Sequence, residues 1–504
     1  MAKKSAAASA APQVADKGKY EYAQMLFDKR VVQKDIANEV GISKTTFSRC
    51  IKDVYWRVTQ SANRSIIINI VSAEQQDALV ERLNALYGID RQQPSAEVIH
   101  EPDMPLLSEE LLQRLYRGGE VMADADTLFY NLDKFRQRLD TALGTDTTLW
   151  GTRYAEMSLM MQRQMLRFCV AKNHSEMTSL QRLAAGRQGS NRSFEEFAER
   201  AARLHSLYNG AYLRTELDTA QTAVETGMTW QDVEQDKDIF PSLRYETAGD
   251  EHVRASHRIL DGIVRPVDDD FWNTYYPPNG YNCRCTVVQT SERTTRLGMD
   301  KPLPIPELFE VNLAKKKYMF PPNHPYFERM QSRTFNEISD VLPVEKTYID
   351  VKFPKSDTTI KVSAMQKDGE IIKNIETLRI LSENGYKDMK LLPDLYSEEA
   401  KRRVYPEGQR PPDIKKNADS IIGGTVYEIK TFTLTIRNIQ ERMRKASGQA
   451  RAVVLNMKGN RDNLSDSYIE MKIRNYMNLY NIDKAIVIYN DEQVAIKEIK
   501  RENL

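Results

Sequence analysis

Apolar residues recur every three to four positions through much of the chain between Leu106 and Val224. This spacing places one apolar stripe on each of several helices, because an α-helix has about 3.6 residues per turn. We therefore predict a mainly helical body, most clearly at LLQRLY, FRQRL, MQRQMLRF and FEEFAERAARL. After Trp230 the pattern changes to short strands and loops. The prolines at 302, 304, 306, 321, 322 and 325 then break regular structure, so we interpret this stretch as the seam before a last domain.

Residues 346–500 show a different pattern, in which strand-like and helix-like segments alternate. The predicted strands are TYIDVKF, TVYEIKTF, ARAVVLNM, KAIVIYN and QVAIKEI. The predicted helices are EIIKNIETLRILSEN, TIRNIQERMRKAS and SYIEMKIRNYMNLY. Such alternation is typical of an α/β sheet.

The chain length indicates several structural units, because 504 residues exceed what one hydrophobic core usually serves. We expect a multidomain fold that combines α and α/β parts. The predicted order is a disordered arm at 1–19, a helix-turn-helix at 20–60, a connecting helix and linker at 61–104, a mainly helical domain with a small strand and loop region at 105–335, and an α/β domain at 340–504.

Composition narrows the setting in which the protein works. The chain has 28% charged residues and no apolar run near the 18 residues that cross a bilayer, so we predict no membrane partner. Only four cysteines are present, which favours a reducing cytoplasm. Lys and Arg exceed Asp and Glu by five in residues 1–60 and again by five in residues 341–504. Because the whole chain has a net charge of +1, residues 61–340 carry a net charge of −9. Basic ends can meet nucleic acid, whereas an acidic middle suits protein contacts.

Residues 33–52, QKDIANEVGISKTTFSRCIK, have the layout of a helix-turn-helix and resemble such units in phage small terminase subunits and resolvases. Gly41 permits the sharp turn, and Ser43 can cap the second helix. Polar and basic side chains would then face outward, and we predict that they contact nucleic acid: Lys44, Thr45, Thr46, Ser48 and Arg49. The alternative is that this unit serves only as a packing module.

The predicted α/β domain contains Pro412-Asp413, followed by Glu428-x-Lys430 in a strand. Residues two apart share one face of a strand, so Lys430 can orient water beside a cation that Asp413 and Glu428 hold. Gly423-Gly424 is a hairpin signal that places Glu428 in mid-strand. This arrangement resembles the PD-(D/E)xK nuclease superfamily, which implies Mg²⁺ or Mn²⁺ as cofactor. The alternative is an exposed strand with alternating charges.

The surrounding segments ILSENGYKDMKLLPDL, RPPDI, TVYEIKTF and ARAVVLNM resemble tRNase-type domains at the C-termini of contact-dependent growth-inhibition toxins. The resemblance implies a tRNA or DNA substrate and an immunity protein as partner. Glu370 or Glu376 could supply a third acidic group, although Asn374 could stand at that position instead. Gln449 could contact substrate. Five basic residues could grip a phosphate backbone or be ordinary solvated charges: Arg437, Arg442, Arg444, Lys445 and Arg451.

The most specific segment is LRYETAGDEHVRASHRILDGIVRPVDDDFWNTYYPPNGYNCRCTVVQ at 243–289. It resembles the head-morphogenesis domain of the phage Mu F-like minor capsid family, most closely over 212–290. The matching positions are Asp250, Arg254, His257, Gly262, Asp270, Trp272, Pro277-Pro278-Asn279-Gly280 and Cys283-Arg284-Cys285. This resemblance implies a minor head protein that contacts capsid and portal proteins, made in the bacterial host cytoplasm and then carried in the virion.

The PPNG turn should be rigid and should present residues 282–285 at a defined place, suited to docking in a capsid. His257, Cys283 and Cys285, with His252 or Asp250, could bind Zn²⁺. However, C-x-C is not the usual C-x2–4-C spacing, so we favour buried thiols with a hydrogen-bonded histidine; a catalytic Cys–His pair is a further alternative.

Three functions remain open from the sequence. The chain could be a phage head protein that delivers a toxin nuclease. It could be a purely structural minor capsid protein whose terminal domains bind packaged DNA. It could also be a DNA-packaging factor, in which the helix-turn-helix recognises phage DNA and the last domain trims it.

Overall fold

The computed structural model describes residues 79–89, 103–144, 149–185, 193–295, 305–328, 330–459, 464–491 and 494–501, all within one compact unit. The predicted arm and helix-turn-helix lie outside these residues, and so do their proposed nucleic-acid contacts Lys44, Thr45, Thr46, Ser48 and Arg49.

A body of helices forms the first part of this unit, as the apolar periodicity predicts. Its helices are α1 (79–87), α2 (Glu109–Tyr116), α3 (Ala125–Leu143), α4 (Ala155–Ala185) and α5 (Phe194–Ser206), then a π-helical turn (Leu207–Tyr212) and α6 (Leu213–Asp236). Ser108 and Ser193 cap α2 and α5, because their side chains accept hydrogen bonds from backbone N–H groups of the first turn. All four stretches from which helices were predicted are therefore confirmed as helical.

Helix α4 runs through the middle of this body and is buried on most sides. Its charged residues Lys172 and Glu176 are fully buried, which is tolerated only when each charge has a partner. Lys172 pairs with Glu216 of α6, and Glu176 pairs with His205 of α5. Buried ion pairs thus hold α5 and α6 against the central helix.

A small three-stranded sheet follows, where the pattern changes after Trp230. It consists of β1 (Ser242–Glu246), β2 (Val264–Pro266) and β3 (Thr286–Thr290), in the order β2-β1-β3 with antiparallel pairing. Two short helices connect the strands, α7 (Ala255–Arg258) and α8 (Phe271–Tyr275). The loop at 277–281 is buried, and only Asn282 and Arg284 of the predicted docking segment reach the surface.

Two segments predicted to be connections are built into the core instead. The stretch after residue 305 forms a 3₁₀ turn (Glu307–Phe309), α9 (Leu313–Lys316) and α10 (Pro325–Glu328). Its aromatic residues Phe309, Phe320 and Tyr326 are fully buried. Leu83 of α1 is buried as well, in the same cluster. Aromatic burial outweighs the proline content here, because the apolar area removed from water is large.

The last part begins with α11 (Ser332–Val341) and a 3₁₀ turn (Val344–Thr347) and then forms an eight-stranded mixed sheet. Its elements are β4 (Tyr348–Lys352), β5 (Thr359–Ser363), α12 (Ile371–Glu383), β6 (Met389–Leu391), α13 (Glu398–Val404), β7 (Ser420–Ile422), β8 (Thr425–Thr433), α14 (Ile436–Ala446), β9 (Ala452–Lys458), α15 (Asp466–Tyr480), β10 (Lys484–Asn490) and β11 (Ala495–Lys500). The strand order is β11-β10-β9-β8-β7-β6-β5-β4. The α/β alternation predicted for 346–500 is confirmed.

Strands β8, β9 and β10 are parallel neighbours with apolar residues on both faces. Val454 and Ile486 face a core that includes Ile375 of α12, whereas Val453 and Val487 face Ile439 of α14. Helices therefore cover both faces of the central strands, as parallel sheets require.

The helical body and the large sheet share one apolar core. Phe168 of α4 and Ile349 of β4 belong to the same cluster of buried side chains. The backbone N–H of Trp150 donates to the carbonyl of Lys352 at 2.8 Å. Among the described residues, no helix is both long enough and apolar enough to span a membrane.

Candidate functional site

The strand β8 carries Glu428 and Lys430 on one face, because alternate residues of a strand point the same way. A two-residue turn at Gly423-Gly424 joins β7 to β8, and both glycines have positive φ, at 54° and 76°. The predicted hairpin is thus confirmed, and Glu428 lies near the middle of its strand. Lys430 forms an ion pair with Glu428, whose side chain is almost completely buried.

Asp419, directly before β7, is the carboxylate that lies beside Glu428. The hairpin pairs Ser420 with Tyr427, so Asp419, the residue before β7, stands opposite Glu428. The Asp419 carboxylate accepts a hydrogen bond from the Ile429 N–H at 2.9 Å, which holds it against β8. Asp419 was not predicted from the sequence, although the Gly-Gly turn could have identified it by counting outward across the hairpin.

Asp419 also lines a cavity of about 340 Å³ at the surface of the last domain. Glu370 and Asp394 line the same cavity, and each interacts electrostatically with Asp419. Gln449 lines it too and donates a hydrogen bond to the Asn417 carbonyl at 3.2 Å. The structure therefore brings the predicted residues Glu370 and Gln449 together with Asp419 and Asp394, which were not predicted.

Two other predicted residues have different surroundings. Asp413 stabilises a turn: its N–H donates to the Gly448 carbonyl, and its carboxylate accepts from the Lys415 N–H at 3.1 Å. It does not line the cavity that contains Asp419. Glu376, on α12, accepts hydrogen bonds from Trp150 Nε1 at 2.5 Å and Arg379 Nε at 2.9 Å, so it contacts the helical body instead.

Burial sets the electrostatics of the carboxylates. It raises the pKa of Glu428 well above its ordinary value, and the neighbouring Asp419 raises it further, while Lys430 acts in the opposite direction. Burial also raises the pKa values of Asp419 and Asp394. Glu428 Oε2 is buried and receives no hydrogen bond from any described residue. Paired carboxylates with an unused oxygen are a favourable environment for a cation.

Lysines complement the acidic groups around the cavity, whose lining includes Lys367, Lys415 and Lys416. Carboxylate oxygens are the ligands that Mg²⁺ prefers, and lysine side chains attract phosphate. The basic residues Arg437, Arg444, Lys445 and Arg451 are exposed or half-buried on or next to α14, and Arg442 is half-buried there. The cavity thus combines acidic groups, which attract cations, with basic groups, which attract anions.

A second group of predicted residues also comes together, in the small sheet. His257, Cys283 and Cys285 are buried, and one ligand atom from each lies within 4.8 Å of the others. Two further residues of the signature, Asp250 and Arg254, bond to the loop that carries the cysteines. Asp250 forms a two-point ion pair with Arg284 at 2.6 and 2.7 Å, and Arg254 donates to the Tyr281 carbonyl at 2.6 Å. These contacts thus stabilise the loop next to the three buried side chains.

Two protein families match parts of this chain. Residues 183–288 match the family described as Phage Mu protein F like protein, and they include all of the small sheet except its last two residues. Residues 415–494 match the Contact-dependent growth inhibition CdiA C-terminal domain. The second match begins after Asp413 and includes Asp419, Glu428 and Lys430.

Two curated relatives resemble a short part of the chain. The putative capsid assembly protein F of Escherichia phage Mu is 41% identical over 63 residues, which are 12% of this chain and 14% of that protein. The Mu-like prophage FluMu F protein of Haemophilus influenzae is 39% identical over 80 residues, which are 16% of this chain and 18% of that protein. The matched stretches thus span less than a fifth of either relative. No solved structure matches the chain significantly.

Both matches agree with the resemblances found in the sequence. Residues 183–288 are thus similar to the phage Mu F-like family, and residues 415–494 are similar to the contact-dependent growth inhibition CdiA C-terminal domain.

Proposed function

We propose that this protein is a phage head protein that carries a metal-dependent nuclease as its C-terminal domain. The observation that supports the nuclease is that Asp419 lines the cavity and lies beside the buried Glu428, which pairs with Lys430, within the segment similar to a toxin domain. The nuclease would have the PD-(D/E)xK type of site, with Asp419 in the role that was predicted for Asp413.

The phage Mu F-like domain supports the head-protein part of the proposal. A relative that is 41% identical over 63 residues is named a putative capsid assembly protein. We infer that the partners are capsid and portal proteins, and that the protein enters the phage head after synthesis in the host cytoplasm. The C-terminal domain would travel with the particle.

The residues present suit Mg²⁺ or Mn²⁺. Asp419 and Glu428 would hold the ion, since the buried Glu428 Oε2 has no hydrogen-bond donor among the described residues. Asp394 or Glu370, which line the same cavity as Asp419, would supply a third acidic group. A bound cation of this kind polarises the phosphoryl oxygen and lowers the pKa of bound water. Lys430 would orient the attacking water and offset phosphate charge, and Gln449 would contact the substrate at the cavity wall.

We infer that the substrate is a nucleic acid, either tRNA or DNA, since lysines flank the acidic cavity and arginines follow on α14. As a toxin, the domain would require an immunity protein in the producing cell. Such a protein would protect by covering the cavity.

The test is cleavage by the purified full chain of labelled tRNA and of duplex DNA, with Mg²⁺ or with EDTA. We expect cleavage of one substrate that EDTA abolishes. Asp419→Asn, Glu428→Gln and Lys430→Ala should each reduce the rate by about 100-fold or more, because each removes a group that acts at the phosphate.

Asp413→Asn is the matched control, since it removes a carboxylate that precedes β7 but does not line the cavity. We expect it to retain nearly full activity. Loss of activity in Asp413→Asn but not in Asp419→Asn would refute our assignment of the site. A wild-type protein that binds DNA without cleaving either substrate would instead indicate a structural role, and cleavage confined to phage DNA would indicate a packaging role.

A further inference from the structure

The small sheet encloses three metal-ligating side chains that the proposed nuclease does not use. His257 lies on α7, and Cys283 and Cys285 lie in the loop before β3. Their exposed fractions are 2%, 2% and 4%. The surrounding cluster contains Tyr245, Trp272 and other apolar side chains of the sheet and its helices. The three residues thus converge inside a small core that has its own packing.

The loop conformation points both cysteines inward. Asn282 has a positive φ of 56°, which Asn tolerates better than most residues. Arg284, between the cysteines, is exposed and held outward by its ion pair with Asp250. The alternation sends Cys283 and Cys285 to the same side, which explains how a C-x-C spacing can supply two ligands.

The distances agree with tetrahedral coordination. His257 Nδ1 is 3.8 Å from Cys283 Sγ and 3.5 Å from Cys285 Sγ. Zinc bonds of about 2.3 Å to sulfur and about 2.0–2.1 Å to nitrogen, at a tetrahedral angle, separate sulfur from nitrogen by about 3.6 Å. The two observed distances lie on either side of this value.

Hydrogen bonding alone accounts less well for the same geometry. A neutral imidazole nitrogen has one lone pair, so Nδ1 can accept from only one of the two thiols. The second thiol would then have to donate to the neighbouring sulfur, which is a weak acceptor, or to the Tyr245 hydroxyl near Cys285.

Hydrogen-bond donors lie near both sulfur atoms. The N–H groups of Asn279 and Cys285 lie within hydrogen-bonding reach of Cys283 Sγ. The Tyr245 hydroxyl lies within reach of Cys285 Sγ and 2.9 Å from Asn279 Oδ1, so its one proton can be directed at either acceptor. Donors close to both sulfurs stabilise negative charge there.

We propose that His257, Cys283 and Cys285 supply three ligands of a structural Zn²⁺ ion. The ion joins α7 to the loop before β3 and thereby stabilises the Mu F-like domain. The unusual C-x-C spacing favoured simple buried thiols. The structure reverses this preference, because it brings both sulfur atoms and the His257 ring nitrogen close together.

Elemental analysis of the full chain, purified under reducing conditions without added metal, tests the proposal. We expect about one zinc per chain. Cys283→Ser, Cys285→Ser and His257→Asn should each lower the zinc content at least tenfold. Cys169→Ser is the matched control, because Cys169 is a free, fully buried cysteine in the helical body. It should leave the zinc content unchanged.

A second measurement remains decisive if the variants fold poorly. Replacing the metal with Co²⁺ in the wild-type chain should produce a thiolate-to-cobalt charge-transfer band, which a carboxylate site cannot give. Normally folded protein without zinc and without this band would overturn the proposal, and so would zinc retained in all three variants. Neither result depends on nucleic-acid cleavage, so failure of the nuclease proposal is separately visible.

Discussion

Arg163 of α4 connects the helical body to the loop that leads into the candidate nuclease site. Its side chain is only 3% exposed. The guanidinium donates to the carbonyls of Ala364 and Gln366 and to Asp368 Oδ1, the last at 2.8 Å. This loop ends at Glu370, and Gln366 itself lines the cavity. We predict that Arg163→Met destabilises the protein and disturbs the site.

The magnitude follows from the groups that the substitution leaves behind. A methionine side chain would fill similar space but would leave two carbonyls, largely shielded from water, without a donor, at about 1–3 kcal/mol for each. Asp368 is 63% exposed and can be solvated again, so its lost ion pair adds little. Burial also lowers the pKa of Arg163, which shows that the buried charge itself is costly, and its removal offsets part of the loss. The net expectation is a loss of about 2–4 kcal/mol.

The assay is calorimetric or denaturant unfolding of the full chain, with Arg167→Met as the matched control. Arg167 lies one turn further along α4 and bonds to the same Asp368 at 3.1 Å, but its side chain is 45% exposed. We expect the control to lose less than about 1 kcal/mol, as surface ion pairs do. Equal effects of the two substitutions would refute the argument, because they would show that the buried carbonyl contacts contribute nothing.

Three further predictions concern other buried charges. Lys172→Met should lower the free energy of unfolding by about 3–5 kcal/mol, because it leaves the fully buried Glu216 without its cation. The double variant with Glu216→Gln should recover at least half of this loss. Additive losses in a double-mutant cycle would contradict the prediction. Burial lowers the pKa of His205, but Glu176, 2.6 Å away, raises it, so that the pKa is raised overall. The stabilisation of the fold by protonated His205 should therefore be complete below about pH 6.5 and disappear as the pH rises through the raised pKa. Unfolding of wild type and His205→Asn across this range checks the direction, and a wild-type advantage that grows with pH would exclude it. Glu428→Gln should stabilise the metal-free chain by about 1–2 kcal/mol, since it removes one of two adjacent buried carboxylates. A lower melting temperature of the variant without added metal would contradict this prediction.

The sequence predicted the site residues of the last domain and those of the small sheet to different extents. In the last domain, the Gly423-Gly424 turn and the strand alternation located Glu428 and Lys430 on one face of β8. The acidic partner was sought at Asp413 because Pro412-Asp413 matched a written motif. Pairing across the hairpin places Asp419 there instead, and this follows from backbone hydrogen bonding between strands.

In the Mu F-like domain, the signature positions were evident from the sequence, but their role was not. The PPNG turn was expected to present residues 282–285 for docking; the turn itself is buried, Asn282 and Arg284 reach the surface, and Cys283 and Cys285 lie in the core of the small sheet. Spacing along the chain describes only local geometry. The direction of a side chain depends on backbone angles, such as the positive φ of Asn282, and on neighbours distant in sequence.

By itself, the sequence determined the helices of the body, the α/β order of the last domain and the two family resemblances, because periodicity and turn chemistry act over a few residues. Only the tertiary structure decided that Glu376 contacts Trp150 and that residues 308–326 belong to the core. Each of these depends on strands, helices and loops that meet across long separations in the chain. Long-range packing and strand register select such contacts, and no local pattern encodes them.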